Sequence, residues 1–116
     1  MRVILFQNQF AELVRSGVKR QTIRCKARCK PGDVLSLRRW SGLPYRSKQE
    51  VLLESVCTEV LPVEVDFECI RIGDASCFGL SADAQAQKDG FCDYTSMRRW
   101  FFNTHGLPFA GWVIRW

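Results

Sequence analysis

The chain has 116 residues, 47% of them hydrophobic and 25% charged, with a formal net charge of +5. This balance fits one ordinary soluble domain over residues 1–116. It excludes an intrinsically disordered chain, which has too few apolar residues to offset its ordering entropy. The charge is unevenly placed: residues 1–50 hold 12 basic and 3 acidic side chains, and residues 51–116 hold 5 and 9. Residues 15–30 carry Arg15, Lys19, Arg20, Arg24, Lys26, Arg28 and Lys30 with no acid among them. That pattern suits an anionic partner such as nucleic acid, and a solvated basic face with no partner fits the charge equally well.

In chain order, residues 2–6 form a short apolar run typical of a buried strand. Asn8 is a good N-cap, and Phe10, Leu13 and Val14 recur on one helical face until Gly17 closes the helix. Thr22–Cys25 reads as extended because Thr and Ile favour strands. Pro31-Gly32-Asp33 is a turn and Val34–Arg39 a strand, followed by a loop over 40–49 that mixes Trp40 and Tyr45 with Arg46 and Lys48. Val51–Val60 is apolar and β-branched. From Val63 to Cys69, apolar residues alternate with Glu64, Asp66 and Glu68, the clearest period-2 strand signal in the chain. Ser81 is placed to cap a helix through Lys88 that stops near Gly90. Asp93 or Thr95 caps a second, with Met97, Trp100 and Phe101 as its apolar stripe and Gly106 and Pro108 at its end. Phe109–Trp116 is a final strand with Ala110, Trp112, Ile114 and Trp116 on one side.

About six strands and three helices result, without regular βαβ alternation, which predicts an α+β fold. A small barrel is the natural way to hide so many sheet edges. The N-terminal apolar run is too short for a signal peptide, and no run approaches the ~20 residues of a membrane span, which points to a cytoplasmic protein with no membrane partner. Six cysteines without a secretory signal argue against a disulfide framework; Cys57 and Cys69 sit in apolar runs and read as core residues. No C-x-x-C pair exists and His105 is the only histidine, so no structural zinc site is expected. His105, beside Gly106, reads as a helix-ending residue that complements the dipole.

The informative segment is Gly17-Val18-Lys19-Arg20-Gln21-Thr22-Ile23-Arg24. With residues 22–24 extended, Thr22 and Arg24 project to one face, and Lys19 precedes them in the turn after the first helix. An amine, a hydroxyl and a guanidinium can therefore meet. A Lys of depressed pKa serves as base for a hydroxyl nucleophile, and Arg holds a phosphate or carboxylate. The same residues also read as an ordinary solvated surface.

Around this segment the chain resembles the ASCH domain (activating-signal-cointegrator homology), a branch of the PUA-like barrels. Phe6-Gln7 with Phe10 opens the first helix, and Gly17-x-Lys19-x-x-Thr22-x-Arg24 follows at the family's spacing. Gly32-Asp33 starts the next strand, and Asp89-Gly90-Phe91 precedes Met97 and Trp100-Phe101. The chain closes with Gly106-x-Pro108-Phe109-x-Gly111-x-x-Ile114-x-Trp116. The resemblance spans about 110 residues. It implies a small PUA-like β-barrel with helices around a ligand cleft, and either RNA binding or, as in some small bacterial members, amidohydrolase action on acetylcytidine and related acylated cytosines. The amidohydrolase branch uses a Lys, a Thr three positions later and a Glu in a later helical segment. These map onto Lys19, Thr22 and Asp89, the last shorter by one methylene, while Arg24 maps onto a ligand-holding position.

The leading expectation is a protein that binds RNA or a modified nucleoside or nucleotide in a basic cleft. Arg24, Arg20 and Lys26 would contact the ligand's anionic groups, and Trp40 or Tyr45 would stack on a base. The alternative is an amidohydrolase in which Lys19 is base, Thr22 nucleophile and Asp89 orienting acid. A ribonuclease is the third expectation; one histidine and scattered acids give it neither an acid–base pair nor metal carboxylates. No cofactor motif is present: there is no phosphate-binding Gly-rich loop, no dinucleotide fingerprint and no metal-ligand pair.

Overall fold

The computed structural model describes residues 1–116. Strand β1 (Arg2–Leu5) leads into helix α1 (Asn8–Ser16), and β2 (Gln21–Arg24) follows a tight turn. Then come β3 (Val34–Trp40), β4 (Gln49–Val56), β5 (Glu59–Val65), β6 (Ile70–Ile72) and β7 (Ala75–Cys77). Helices α2 (Gly79–Lys88) and α3 (Tyr94–Thr104) precede β8 (Phe109–Arg115). The strands form two sheets, ordered β1-β3-β4 and β2-β8-β5-β6-β7. This is an α+β architecture with eight strands, not about six, and neither sheet closes into a barrel. Most outer strands are short: β1 and β2 have four residues and β7 three. Short edges present few unpaired backbone groups.

Two extra strands arise where the 63–69 alternation breaks. Val63 and Val65 are buried as expected, but the chain turns at Asp66, whose amide donates to the Cys69 carbonyl at 3.0 Å. The Asp66 side chain accepts from the Phe67 amide at 2.7 Å, a local bond that competes with strand continuation, and Phe67 is left half exposed. The first helix also starts differently. Gln7, not Asn8, is the N-cap residue, and no side chain caps the helix. The Phe6 amide still pairs with the Arg38 carbonyl at 2.9 Å, so the sheet holds the chain extended until Gln7. Gly17 ends α1 in the left-handed conformation (φ 84°), as its position implies. Ser81 lies inside α2, as its third residue, where its hydroxyl accepts from the Phe78 amide and donates to the Phe78 carbonyl. Asp93 caps α3 by accepting from the Ser96 amide at 2.8 Å.

Strand β8 organises the larger sheet, with β2 on one edge and β5 on the other. Side chains alternate across it, so its two faces serve two cores. Val113 joins Ile23, Val63, Val65, Met97 and Phe101 under α2 and α3. Ile114 and Trp116 face the other way, packing with Phe6, Val14, Leu35 and Leu37 beneath α1 and the smaller sheet. Ala110 and Trp112 share that second face but remain exposed. Thr22 and Arg24 pair in register with Ile114 and Trp112 and so share their face, which turns them toward β1 and α1. Cys57 is buried as read from the sequence, whereas Cys69 is only partly buried.

Gly111 sets how closely β2 approaches β8: a Cβ there would lie 2.4 Å from the Arg24 carbonyl oxygen. Gly111→Ala should therefore push the strands apart and lower unfolding free energy by about 1–3 kcal/mol, the usual range for overpacking. Urea denaturation checks this, and an unchanged midpoint would contradict it.

Candidate functional site

The site begins with a turn. Once Gly17 has reversed α1, the Lys19 amide donates back to the Leu13 carbonyl at 2.9 Å, and the Arg20 amide donates to the Lys88 carbonyl at 2.9 Å. These bonds press residues 18–20 against the C-terminus of α2 and bury Lys19, which is 2% exposed. Asp89 ends α2, and Gly90 (φ 94°) redirects the chain. A Cβ on Gly90 would meet Leu13 and the Lys19 side chain at 3.3 Å, so this position serves both backbone direction and the passage of the lysine.

Lys19 Nζ donates to the Asp89 backbone carbonyl and lies 3.3 Å from Asp89 Oδ1. The cation sits at the negative end of α2, where the helix dipole favours it. The contact with Oδ1 has ion-pair distance without hydrogen-bond alignment, so this buried oxygen has no hydrogen-bond donor. Nζ also lies 4.8 Å from the Phe10 ring centroid, within cation–π range. Arg24 stacks over Phe6 at 5.1 Å, donates from Nε to Thr22 Oγ1 at 3.0 Å and from a terminal nitrogen to the Leu5 carbonyl at 2.8 Å. The last bond ties the end of β2 to the end of β1.

Burial governs the titration of these groups. It pushes the Asp89 carboxyl up to about 6, against the pull of Lys19 and then Arg24. Burial likewise lowers the Lys19 ammonium below its ordinary value, opposed by Asp89 and reinforced by Arg24. The Arg24 guanidinium is also lowered by burial, with Asp89 opposing. Desolvation outweighs mutual attraction in both members of the Lys19–Asp89 pair, as is common for buried ion pairs.

Lys19, Thr22, Arg24 and Asp89 line one cavity of about 760 Å³, within the size range of small-molecule sites. Lys26 and Tyr45 also line it, from exposed positions. Arg20 and Trp40 do not. Arg20 is exposed because its neighbour Lys19 is turned inward, while its carbonyl accepts from the Trp116 amide. Trp40 is half-buried at the end of β3 and packs against Tyr45 with ring centroids 5.1 Å apart. Of the residues expected to contact a ligand, Arg20 and Trp40 therefore stand outside the lining of this cavity.

The sequence reading missed the aromatic wall. Phe10, Phe91 and Trp100 meet edge to face or tilted, with centroids 5.5–5.9 Å apart, and all three line the cavity. His105 occupies the C-cap position of α3 as expected and also lines the cavity, its ring 4.8 Å from that of Phe109. Periodicity places Phe10 and Trp100 on helical stripes, but it reports which residues turn inward and not whether they meet a core or a void. No group of three or more His, Cys, Asp or Glu side chains is arranged to hold a metal ion, and no helix is long and apolar enough to cross a membrane.

Comparison of the chain with known protein families, characterised proteins and solved structures returned no match.

Raising the Asp89 pKa in the folded state means that the folded protein binds the proton more tightly than the unfolded chain. Stability from this group is fully present below its unfolded value near 4 and declines as pH rises toward 6. Relative to Asp89→Asn, the wild-type protein should therefore lose stability between about pH 4 and pH 6, and carboxyl-carbon NMR should show Asp89 titrating near 6. A titration midpoint at or below 4 would contradict the burial argument.

Proposed function

We propose that the protein binds a nucleoside-type ligand, free or as part of an RNA strand, in the cavity beside Lys19, Thr22, Arg24 and Asp89. The observation that carries this reading is the pairing, in one cavity of about 760 Å³, of an aromatic wall with buried polar groups. Aromatic faces take the π-surface of a base irrespective of its identity, and the polar groups supply orientation. The ordered resemblance to ASCH domains supports the same ligand class. It also supports reading the two sheets and three helices as a PUA-like arrangement.

A second reading is favoured by the environment of Lys19. Burial lowers the Lys19 pKa, which favours the neutral amine a base needs, and Thr22 Oγ1 already accepts from Arg24, which leaves its own proton free to be donated. For an N-acylated cytosine, neutral Lys19 would take the Thr22 proton as Oγ1 attacks the amide carbon. Collapse of the tetrahedral adduct would break the C–N bond, with Lys19 returning its proton to the departing base nitrogen. Water would then hydrolyse the threonyl ester, releasing the carboxylic acid and restoring the hydroxyl. Asp89 is one methylene shorter than the glutamate of the amidohydrolase branch, yet its carboxylate still stands 3.3 Å from the lysine amine. In this reading Asp89 holds Lys19 in place, and Arg24 orients Thr22.

Titration calorimetry with cytidine, N4-acetylcytidine and a short single-stranded RNA tests the binding reading. Arg24→Ala should weaken binding about tenfold, the cost of one charge-assisted hydrogen bond; no binding by the wild-type protein to any of the three overturns the reading. Chromatographic detection of cytidine released from N4-acetylcytidine tests the second. Thr22→Ala and Lys19→Ala should each reduce turnover by about 100-fold or more, while Thr22→Ser retains part of it. Absence of turnover, or turnover unchanged by both alanine variants, removes the hydrolase reading.

A further inference from the structure

The charge on the cavity walls is far from balanced. Arg2, Lys19, Arg24, Lys26 and Arg28 line it, and Asp89 is the only carboxylate among the lining residues. The two inner cations are already engaged, Lys19 with Asp89 and Arg24 with Thr22 and the Leu5 carbonyl. The outer three are not comparably satisfied. Arg2 reaches Asp33 only at 4.0 Å, with its side chain 61% exposed. Lys26 and Arg28 are exposed and have no carboxylate within 4.0 Å.

The three outer cations come from two segments that line the same cavity. Arg2 belongs to β1, and Lys26 and Arg28 follow directly on β2. The Arg24–Leu5 hydrogen bond, 2.8 Å long, ties β2 to the far end of β1, and the segment that continues past Arg28 brings the Cys29 thiol under the influence of the Arg2 charge. By contrast, the Phe10, Phe91 and Trp100 wall carries no charge. A neutral nucleoside would use the aromatic wall and leave the cationic rim solvated. A phosphate on the same molecule would give the rim an anionic partner, and a guanidinium can meet phosphate oxygens with two parallel hydrogen bonds.

We propose that the ligand of this cavity carries a phosphate group, seated on a rim formed by Arg2, Lys26 and Arg28. The inference rests on the nucleoside-site reading and narrows its ligand class to nucleoside phosphates. A terminal phosphate monoester and an internal phosphodiester of a strand present the same anionic oxygens to the rim, so both sources share this chemistry.

Calorimetry with cytidine, cytidine 5′-monophosphate, the dinucleotide CpC and inorganic phosphate distinguishes the cases. The monophosphate should bind about tenfold or more tightly than cytidine at low salt. That advantage should shrink as ionic strength rises, because the rim is exposed to screening. The double variant Lys26→Gln with Arg28→Gln should bring the affinity ratio of monophosphate to nucleoside close to one, while the charge-preserving pair Lys26→Arg with Arg28→Lys keeps it. A gain for CpC that matches or exceeds that of the monophosphate places an internal phosphate on the rim; a gain confined to the monophosphate places a terminal one there. Equal affinities for cytidine and its monophosphate overturn the phosphate rim and leave the nucleoside site standing. A preference that survives in the Gln variant also overturns the rim. Binding of neither molecule overturns both, and binding of inorganic phosphate as tightly as the nucleotide overturns the link between rim and cavity.

Discussion

The buried contact between Lys19 and Asp89 is the constraint around which this structure is arranged. An ammonium at 2% exposure and a carboxylate at 3% exposure are costly to desolvate, and each persists because the other lies within 3.3 Å. To bring them together, α1 must end abruptly at Gly17, α2 must end at Asp89, and the backbone of residue 20 must be tied to that of residue 88. The pair therefore joins the turn before β2 to the turn before α3. Most of what lines the cavity is carried by segments adjoining those two turns or by β1, which the Arg24–Leu5 bond draws in, while Tyr45 and Phe109 reach it from the loop after β3 and from β8.

The pair also explains why the cavity combines buried charge with aromatic rings. Phe6 and Phe10 approach the two cations face-on, which places apolar surface against the charges without removing all electrostatic compensation. Phe91 follows Asp89 by two residues and reaches Phe10 and Trp100 from the same turn. The chemistry-bearing groups and the stacking surface are thus consequences of one junction between α1, α2 and α3. The cationic rim has a separate origin in β1 and the segment after β2, which is why it stays exposed while Lys19 and Arg24 do not.

Local signals in the sequence carried well where a single element decides the outcome. The Gly17 helix stop, the Asp93 cap, the extended Thr22–Arg24 segment and the 31–33 turn all follow from residue-level preferences that tertiary contacts leave intact. They failed where a competing contact intervened. Pairing of Phe6 with β3 shifted the α1 cap from Asn8 to Gln7. The Asp66 side chain bent a run whose alternation otherwise reads as one strand to Cys69. Barrel closure is not legible locally for a related reason: strand count and shortness bear on how edges are hidden, but pairing partners are set by long-range register, and the hydrogen-bonded strands form two sheets, neither of them closed. Here β3 pairs with β1 on one side and β4 on the other, while β5 joins β8.

The sequence by itself determined the α+β character, the order of most elements, and the grouping of Lys19, Thr22 and Arg24, because these depend on spacing within a few residues. It also supplied Asp89 as a partner through an ordered resemblance, 70 positions from Lys19. Only the tertiary structure decided that the four share a cavity, that Arg20 and Trp40 stand outside it, and that Phe10, Phe91 and Trp100 wall it. Periodicity encodes which side of an element faces inward; the void between elements depends on how three separate chain turns meet. That meeting is governed by the burial of one ion pair and the closeness of β2 to Gly111, neither of which leaves a local pattern in the chain.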